Sequence, residues 1–364
     1  MGAPATPPPP AAVDRPELLT ASWLSAALRY AGHDVEIEAV TFDAVGTGQM
    51  ASSYRLHLEH RSPSFPATLV VKLPCDDVET RATIASSYRA EAGFYTALAG
   101  RVAVRSPDCF SVVLNNDGSV FVLLMEDMAP ASQGDQLAGA TLEQATAAVV
   151  NLAGLHGPPW CDPTLADHEF LSLPDPEVAA FLGALTESAT GVFLERFAAA
   201  ITEADSAVLA EAAELMGSFL AGRPERFTVI HGDYRMDNLL FAPDGTVTAV
   251  DWQTVALGLP GRDLAYFCST SLAVEDRRAH ELDLVGAYHR ALVAHGATDH
   301  PLAECLDDYR YGLLHGPLII VLGAAYGAAT ERGDRMFVAM MERSCAAIRD
   351  HGTLDLVRAS LPVT

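Results

Sequence analysis

The 364-residue chain contains a single lysine, Lys72, among 23 basic side chains, and 47 acidic ones outnumber them to leave a formal net charge of −24. That acidic excess excludes a protein that grips nucleic acid by its phosphate backbone, because too few cations are present to displace condensed counterions. Charged residues are scarce at 19% and hydrophobic ones reach 50%, which excludes disorder as a description of the whole and implies a large buried core. The six cysteines form no CxxC pair, so neither a zinc site nor a disulfide framework is expected, and the chain reads as reduced and cytoplasmic. Long apolar runs are lacking too. The most apolar stretch, residues 313–329, holds His315, Gly316 and Pro317 without flanking positive charge, so it reads as a buried helix rather than a membrane span. Residues 1–13 are Pro/Ala-rich, with no basic region and no continuous apolar core, and read as a flexible tail rather than a signal peptide.

The lysine scarcity is informative in itself. A chain that writes arginine almost everywhere keeps lysine where a compact ammonium on a flexible stem is needed. Lys72 ends the β-rich run Thr68-Leu69-Val70-Val71-Lys72.

Hydrophobic periodicity predicts a helix over 15–32 and strands over 35–42, 53–58 and 68–73. A helix over about 82–98 follows, then strands over 110–114 and 120–125 around Asn116-Asp117-Gly118. Beyond Met128 the pattern turns helical: Thr141 and Gln144 form a capping box, and further helices are predicted over 176–197 and 204–220. One segment breaks this pattern. Short apolar runs at 238–241 and 246–250 flank Pro243-Asp244-Gly245 and predict a β-hairpin among helices.

That hairpin carries the chemistry. It opens with His231-Gly232-Asp233-Tyr234-Arg235-Met236-Asp237-Asn238 and closes with Asp251-Trp252-Gln253, so the turn is expected to return Asp251 beside Asn238. Phosphoryl transfer from a nucleotide needs such a set: a carboxylate to orient and deprotonate an attacking hydroxyl, and oxygen donors for Mg²⁺.

This H-G-D-x-x-x-x-N spacing resembles the aminoglycoside phosphotransferase and choline kinase superfamily, which has a protein-kinase-like fold. The runs Val250-Asp251-Trp252-Gln253 and Arg262-Asp263-Leu264-Ala265-Tyr266-Phe267 look most like its ecdysteroid-kinase-like branch. The resemblance runs from about residue 40 to 267. It implies an α+β, two-lobed fold: a small antiparallel β lobe with one helix over 14–128, and a larger, mostly helical lobe over 129–364 carrying the catalytic hairpin. Carried over by position, Asp233 is the catalytic base, Asn238 and Asp251 are Mg²⁺ ligands, and Lys72 pairs with phosphates and with Glu91. Gly46, Gly48 and Gln49 take the place of the loop over the phosphates. Glu126 and Met128 fall in the hinge that would bind adenine through backbone groups, a mode that suits ATP and is also compatible with GTP. Asp263 and His231 are expected to hold the loop, and His156 to be a packed helix residue.

Gly232 stands where protein kinases carry Arg, and no A-P-E segment follows Asp251, so the expected acceptor is the hydroxyl of a small molecule rather than a protein. Two readings of that acceptor stay open. Acids at Asp162, Asp167, Glu169, Asp175, Glu177, Glu187 and Glu195 would suit an aminoglycoside- or choline-like cation. The ecdysteroid-kinase-like runs instead suggest a sterol- or terpenoid-like alcohol. The rival to an active kinase is a nucleotide-binding regulatory protein of the pseudokinase kind.

Overall fold

The computed structural model describes residues 8–46 and 50–360, and these divide into two compact units. The first comprises residues up to 100, then 106–129 and 251–254; the second takes 101–105, 130–250 and 255 onward. Neither unit is one continuous stretch: residues 101–105 belong with the second, and 251–254 with the first.

In the first unit α1 (Ala21–Tyr30) starts where the Thr20 hydroxyl accepts the Trp23 amide. An antiparallel sheet follows, made of β1 (Ile37–Val45), β2 (Ala51–His60), β3 (Thr68–Pro74), β4 (Cys109–Leu114) and β5 (Phe121–Glu126), in the order β1-β2-β3-β5-β4. All five strands overlap the strand runs predicted from the sequence. Successive side chains on a strand point to opposite faces. Leu69, Val71 and Leu73 therefore bury against Leu24, Leu28, Leu56 and Val122. The opposite face carries Val70 beside Tyr88, Phe121, Leu123 and Met125. Lys72 shares the parity of Val70, and its register partners are Ser53 and Leu123. The predicted helix over 82–98 is instead three pieces: α2 (Val78–Thr83), α3 (Ala85–Gly93) and a π-helical turn, Phe94–Leu98. It starts early because the Asp77 carboxylate caps the Thr80 amide, and it breaks at Ile84, which has φ −101°.

The second unit is built on α4 (Leu142–His156), α5 (Pro176–Arg196), α6 (Glu203–Ala221), α7 (Gly261–Ser271), α8 (Val274–Ala294), α9 (Leu302–Gly312), α10 (His315–Tyr326), α11 (Glu331–His351) and α12 (Thr353–Ala359). The capping box of Thr141 and Gln144 opens α4, and Gly352 in the left-handed region closes α11. Within the apolar run 313–329, α10 buries Leu318, Ile320 and Val321. Of the described helices α5 is long and apolar enough to cross a membrane by length and composition, and a third of that window is buried.

Short strands interrupt the helices: β6 (Ser132–Gln133), β7 (Thr228–Ile230), β8 (Leu239–Phe241), β9 (Val247–Ala249) and β10 (Ala256–Gly258). The expected hairpin is β8–β9, pairing Leu239 with Ala249, and Gly245 takes the positive φ its turn requires. Antiparallel β7–β10 pairing fixes Ile230, so the chain leaves a rigid strand directly into His231.

Candidate active site

In the first unit, β3 and α3 bring together the lone lysine and a buried acid. Lys72 Nζ donates to Glu91 Oε1 at 2.8 Å and to Asp251 Oδ1 at 3.0 Å, and it lies 2.7 Å from Glu91 Oε2. Glu79, an acid that follows β3 in sequence, is exposed and lies in the first turn of α2. Burial pushes the Glu91 carboxyl up, opposed by Lys72. Burial also disfavours the Lys72 ammonium, but Asp251 and Glu91 together outweigh it and hold the lysine charged, above its ordinary range. The Asp251 side chain is 42% exposed against 1% for Glu91. The Asp251 backbone has φ 69°, a left-handed conformation uncommon outside glycine.

Trp252 continues this cluster. Its backbone N–H donates to Glu91 Oε1 at 3.3 Å, and its indole stacks on Phe94 in the π-helical turn. Such turns recur at functional sites. Gly46 follows β1 with φ 77°, and among the described residues no atom lies within 4 Å of where a β-carbon would sit, so its conformation favours glycine. Gly48 and Gln49 lie outside the described residues. Glu126 ends β5, its amide bonded to the Asp108 carbonyl; Met128 lies just beyond it, half-buried.

In the second unit, α7 holds the loop after β7 by its backbone. Asp263 Oδ2 and Oδ1 accept the amides of His231 at 2.6 Å and Gly232 at 2.9 Å. The carboxyl of Asp263 is buried, which disfavours its charge, yet the hydrogen bond and field of His156 lower it to about 2. His315 Nε2 donates to the Gly232 carbonyl at 2.8 Å, while Arg262 Nη2 donates to His315 Nδ1 at 3.2 Å. Burial and Arg262 hold that imidazole neutral, lowered to about 3. Gly232 itself has φ 81°. His231 bonds the Val250 carbonyl at 3.2 Å, and His156 is fully buried against Tyr288 and Asp263.

The Asp233 carboxylate is surrounded by donors. Oδ1 accepts Tyr266 Oη at 2.8 Å and Arg235 Nε at 3.0 Å; Oδ2 accepts Asn238 Nδ2 at 2.8 Å and the longer arm of Arg235 Nε at 3.2 Å. Asn238 Nδ2 also donates to the Asp233 carbonyl at 2.9 Å, which commits the amide nitrogen and leaves Oδ1 as the donor oxygen for a cation. The Val250 amide bonds the Asn238 carbonyl at 3.0 Å, and the chain then passes into Asp251. Charged groups continue outward from the loop: Asp237 accepts from Arg235, Arg332 and the Gln136 amide.

The sequence motifs single out none of Tyr266, Arg235, Asp237, Arg332, His315 or Phe94 for a role. Tyr266 stands inside the D-L-A-Y-F run, and its place one turn after Asp263 on α7 is the signal that could have found it. Arg332 and His315 come from helices with no motif of their own.

An antiparallel sheet with its lysine–glutamate pair, followed by a helical unit with an H-G-D-x-x-x-x-N loop on a hairpin, defines the protein-kinase-like fold. Residues 41–311 match the model of the phosphotransferase enzyme family, and the chain belongs to that family. Among solved structures, a choline kinase from Cryptosporidium parvum superposes with a TM-score of 0.57 at 10% identity, covering 86% of this chain and 91% of that one. The GDP complex of a wild-type aminoglycoside 2'-phosphotransferase-IIIa gives 0.55 at 14% identity, covering 86% and 94%. Mouse acyl-CoA dehydrogenase family member 10 is 44% identical over 48 residues, which are 13% of this chain and 4% of that protein, so the match spans a small fraction of the mouse protein's length.

Proposed function

We propose that the chain transfers the γ-phosphoryl group of ATP to a hydroxyl group of a small molecule. The observation that carries this reading is the Asp233–Asn238 pair, in which the amide nitrogen fixes the carboxylate and the amide oxygen remains for a metal. Magnesium takes few protein ligands, all hard oxygens, plus phosphate and water. Asn238 Oδ1 and the exposed Asp251 carboxylate suit it. Those two residues would hold Mg²⁺, which when bound supplies neutralising charge at the phosphates.

In this reading Lys72, kept charged by Glu91, pairs with the phosphates. Asp233 orients the acceptor O–H and takes its proton. The acceptor oxygen bonds to the γ-phosphorus as the bridge to the β-phosphate breaks. Gly46 and its neighbours would cover the phosphates, and backbone groups near Glu126 and Met128 would take the base of ATP or GTP. The D-W-Q and D-L-A-Y-F runs favour an apolar, sterol- or terpenoid-like alcohol; the acidic helices favour an aminoglycoside- or choline-like one.

The test is a mass-spectrometric screen for a phosphate-mass gain across alcohols of these classes with Mg-ATP, and a parallel GTP lane. Transfer that vanishes in Asp233→Ala while nucleotide binding persists supports the reading. Full turnover by Asp233→Ala sinks it, and tight Mg-ATP binding with no transfer to any acceptor favours a regulatory protein.

A further inference from the structure

Tyr266 has no role in the reading above. It is fully buried on α7, with its ring edge-on to His315, centroids 5.5 Å apart at 84°. The loop backbone needs nothing from it, because Asp263 and His315 already hold the amides and carbonyl of residues 231–232. Among the described residues its hydroxyl bonds Asp233 Oδ1 alone. Burial and the neighbouring Asp233 keep the phenol protonated well above its usual range, so it stays a donor.

An ionised carboxylate offers about four acceptor positions. At Asp233 two lie on Oδ1, taken by Tyr266 and the shorter arm of Arg235; on Oδ2, Asn238 takes one and only the longer Arg235 arm meets the other. A carboxylate hung on two single bonds settles at the rotation that its hydrogen bonds balance, and the Tyr266 hydroxyl gives Oδ1 the shorter of its two, 2.8 Å against 3.0 Å for Arg235, which is shared with Oδ2. Misplacement of a reacting group by about 1 Å can cost on the order of a hundredfold in rate.

We propose that Tyr266 is a positioning residue for phosphoryl transfer: by anchoring Oδ1 it sets the rotation of the Asp233 carboxylate and leaves Oδ2 as the oxygen that meets the acceptor hydroxyl. This rests on the assignment of Asp233 as the residue that meets that hydroxyl. Tyr266 touches no reacting atom itself.

The test compares Tyr266→Phe and Asp233→Ala with the parent chain, using Mg-ATP with water as acceptor, ADP release as readout, and a crystal structure of Tyr266→Phe. Expected for Tyr266→Phe are a fall in kcat of tenfold or more, a KM for ATP within twofold, an unchanged fold, and a rotated Asp233 carboxylate. Buried packing is preserved by the isosteric ring, so a purely structural role would move neither kcat nor the carboxylate. A carboxylate found in its parent position overturns the proposal, as does a kcat within twofold of the parent. If Asp233→Ala keeps full turnover, the assignment of Asp233 fails first; if it is inactive while Tyr266→Phe is not, only the role of Tyr266 falls.

Discussion

The indole of Trp252 lies flat on the ring of Phe94, with centroids 3.5 Å apart and planes 6° from parallel. Because the Trp252 amide also reaches Glu91, this stack ties the residue after Asp251 to the helix that supplies the partner of Lys72. Phe94→Ala opens a cavity at a fully buried site, with an expected loss of about 3–5 kcal/mol by chemical denaturation. In the fraction that stays folded, calorimetric affinity for Mg-ATP should weaken several-fold; undiminished affinity would refute the coupling.

Removing the lysine alone should hurt twice. Lys72→Met strands Glu91, which is 1% exposed, and breaking such a buried pair costs about 3–5 kcal/mol. The double variant Lys72→Met/Glu91→Leu should recover most of that stability while phosphoryl transfer stays lost. A double-mutant cycle on denaturation midpoints checks the first half, and turnover the second. Recovery of activity along with stability would contradict a phosphate-binding role.

The left-handed backbone of Asp251 sets its own ranking. That region is costly for most L-residues, by about 1–2 kcal/mol, and tolerated by Gly and Asn. Thermal melts should order Asp251→Asn and Asp251→Gly above Asp251→Ala, although all three lose Mg²⁺-dependent transfer. An alanine variant as stable as the glycine one would show the conformation to be unstrained.

Acid should loosen the chain through His315 before it reaches the carboxylates. Folded, this imidazole stays neutral until about 3, against 6.5 unfolded. Between those values only the unfolded chain takes up the proton, so stability is complete above about pH 6.5 and falls with pH below it. Asp263, lowered to about 2 from 3.8, adds a later loss as pH drops through that window. Urea midpoints across pH 4–7 should fall on acidification, and His315→Gln should flatten the slope. An unaltered slope in that variant would discount the histidine.

The sequence carries the strands, the hairpin and the lone lysine because each is a local signal. Short β-rich apolar runs mark β1 to β5, the Pro243-Asp244-Gly245 turn marks β8–β9, and a catalytic spacing of five residues survives in a linear string. What stayed hidden depends on contacts distant in sequence. The Lys72–Glu91 pair, expected from the resemblance, is not legible in the two residues alone, which look like a strand end and a solvated helix face until packing buries them. Tyr266, Arg332 and His315 reach the loop from helices whose apolar patterns are ordinary. The start of α2 at Val78 turned on one cap by Asp77, and the π-helical turn at Phe94 has no periodicity of its own.

Having one side-chain amine in 364 residues, and that one in the centre of a sheet, makes the chain unusually easy to interrogate. Growth on ¹⁵N-lysine alone would yield an NMR spectrum with a single labelled residue: one amide from the middle of β3 and one ammonium held between two carboxylates. A nucleotide titration would then be followed at the very group proposed to receive the phosphates, with no assignment step.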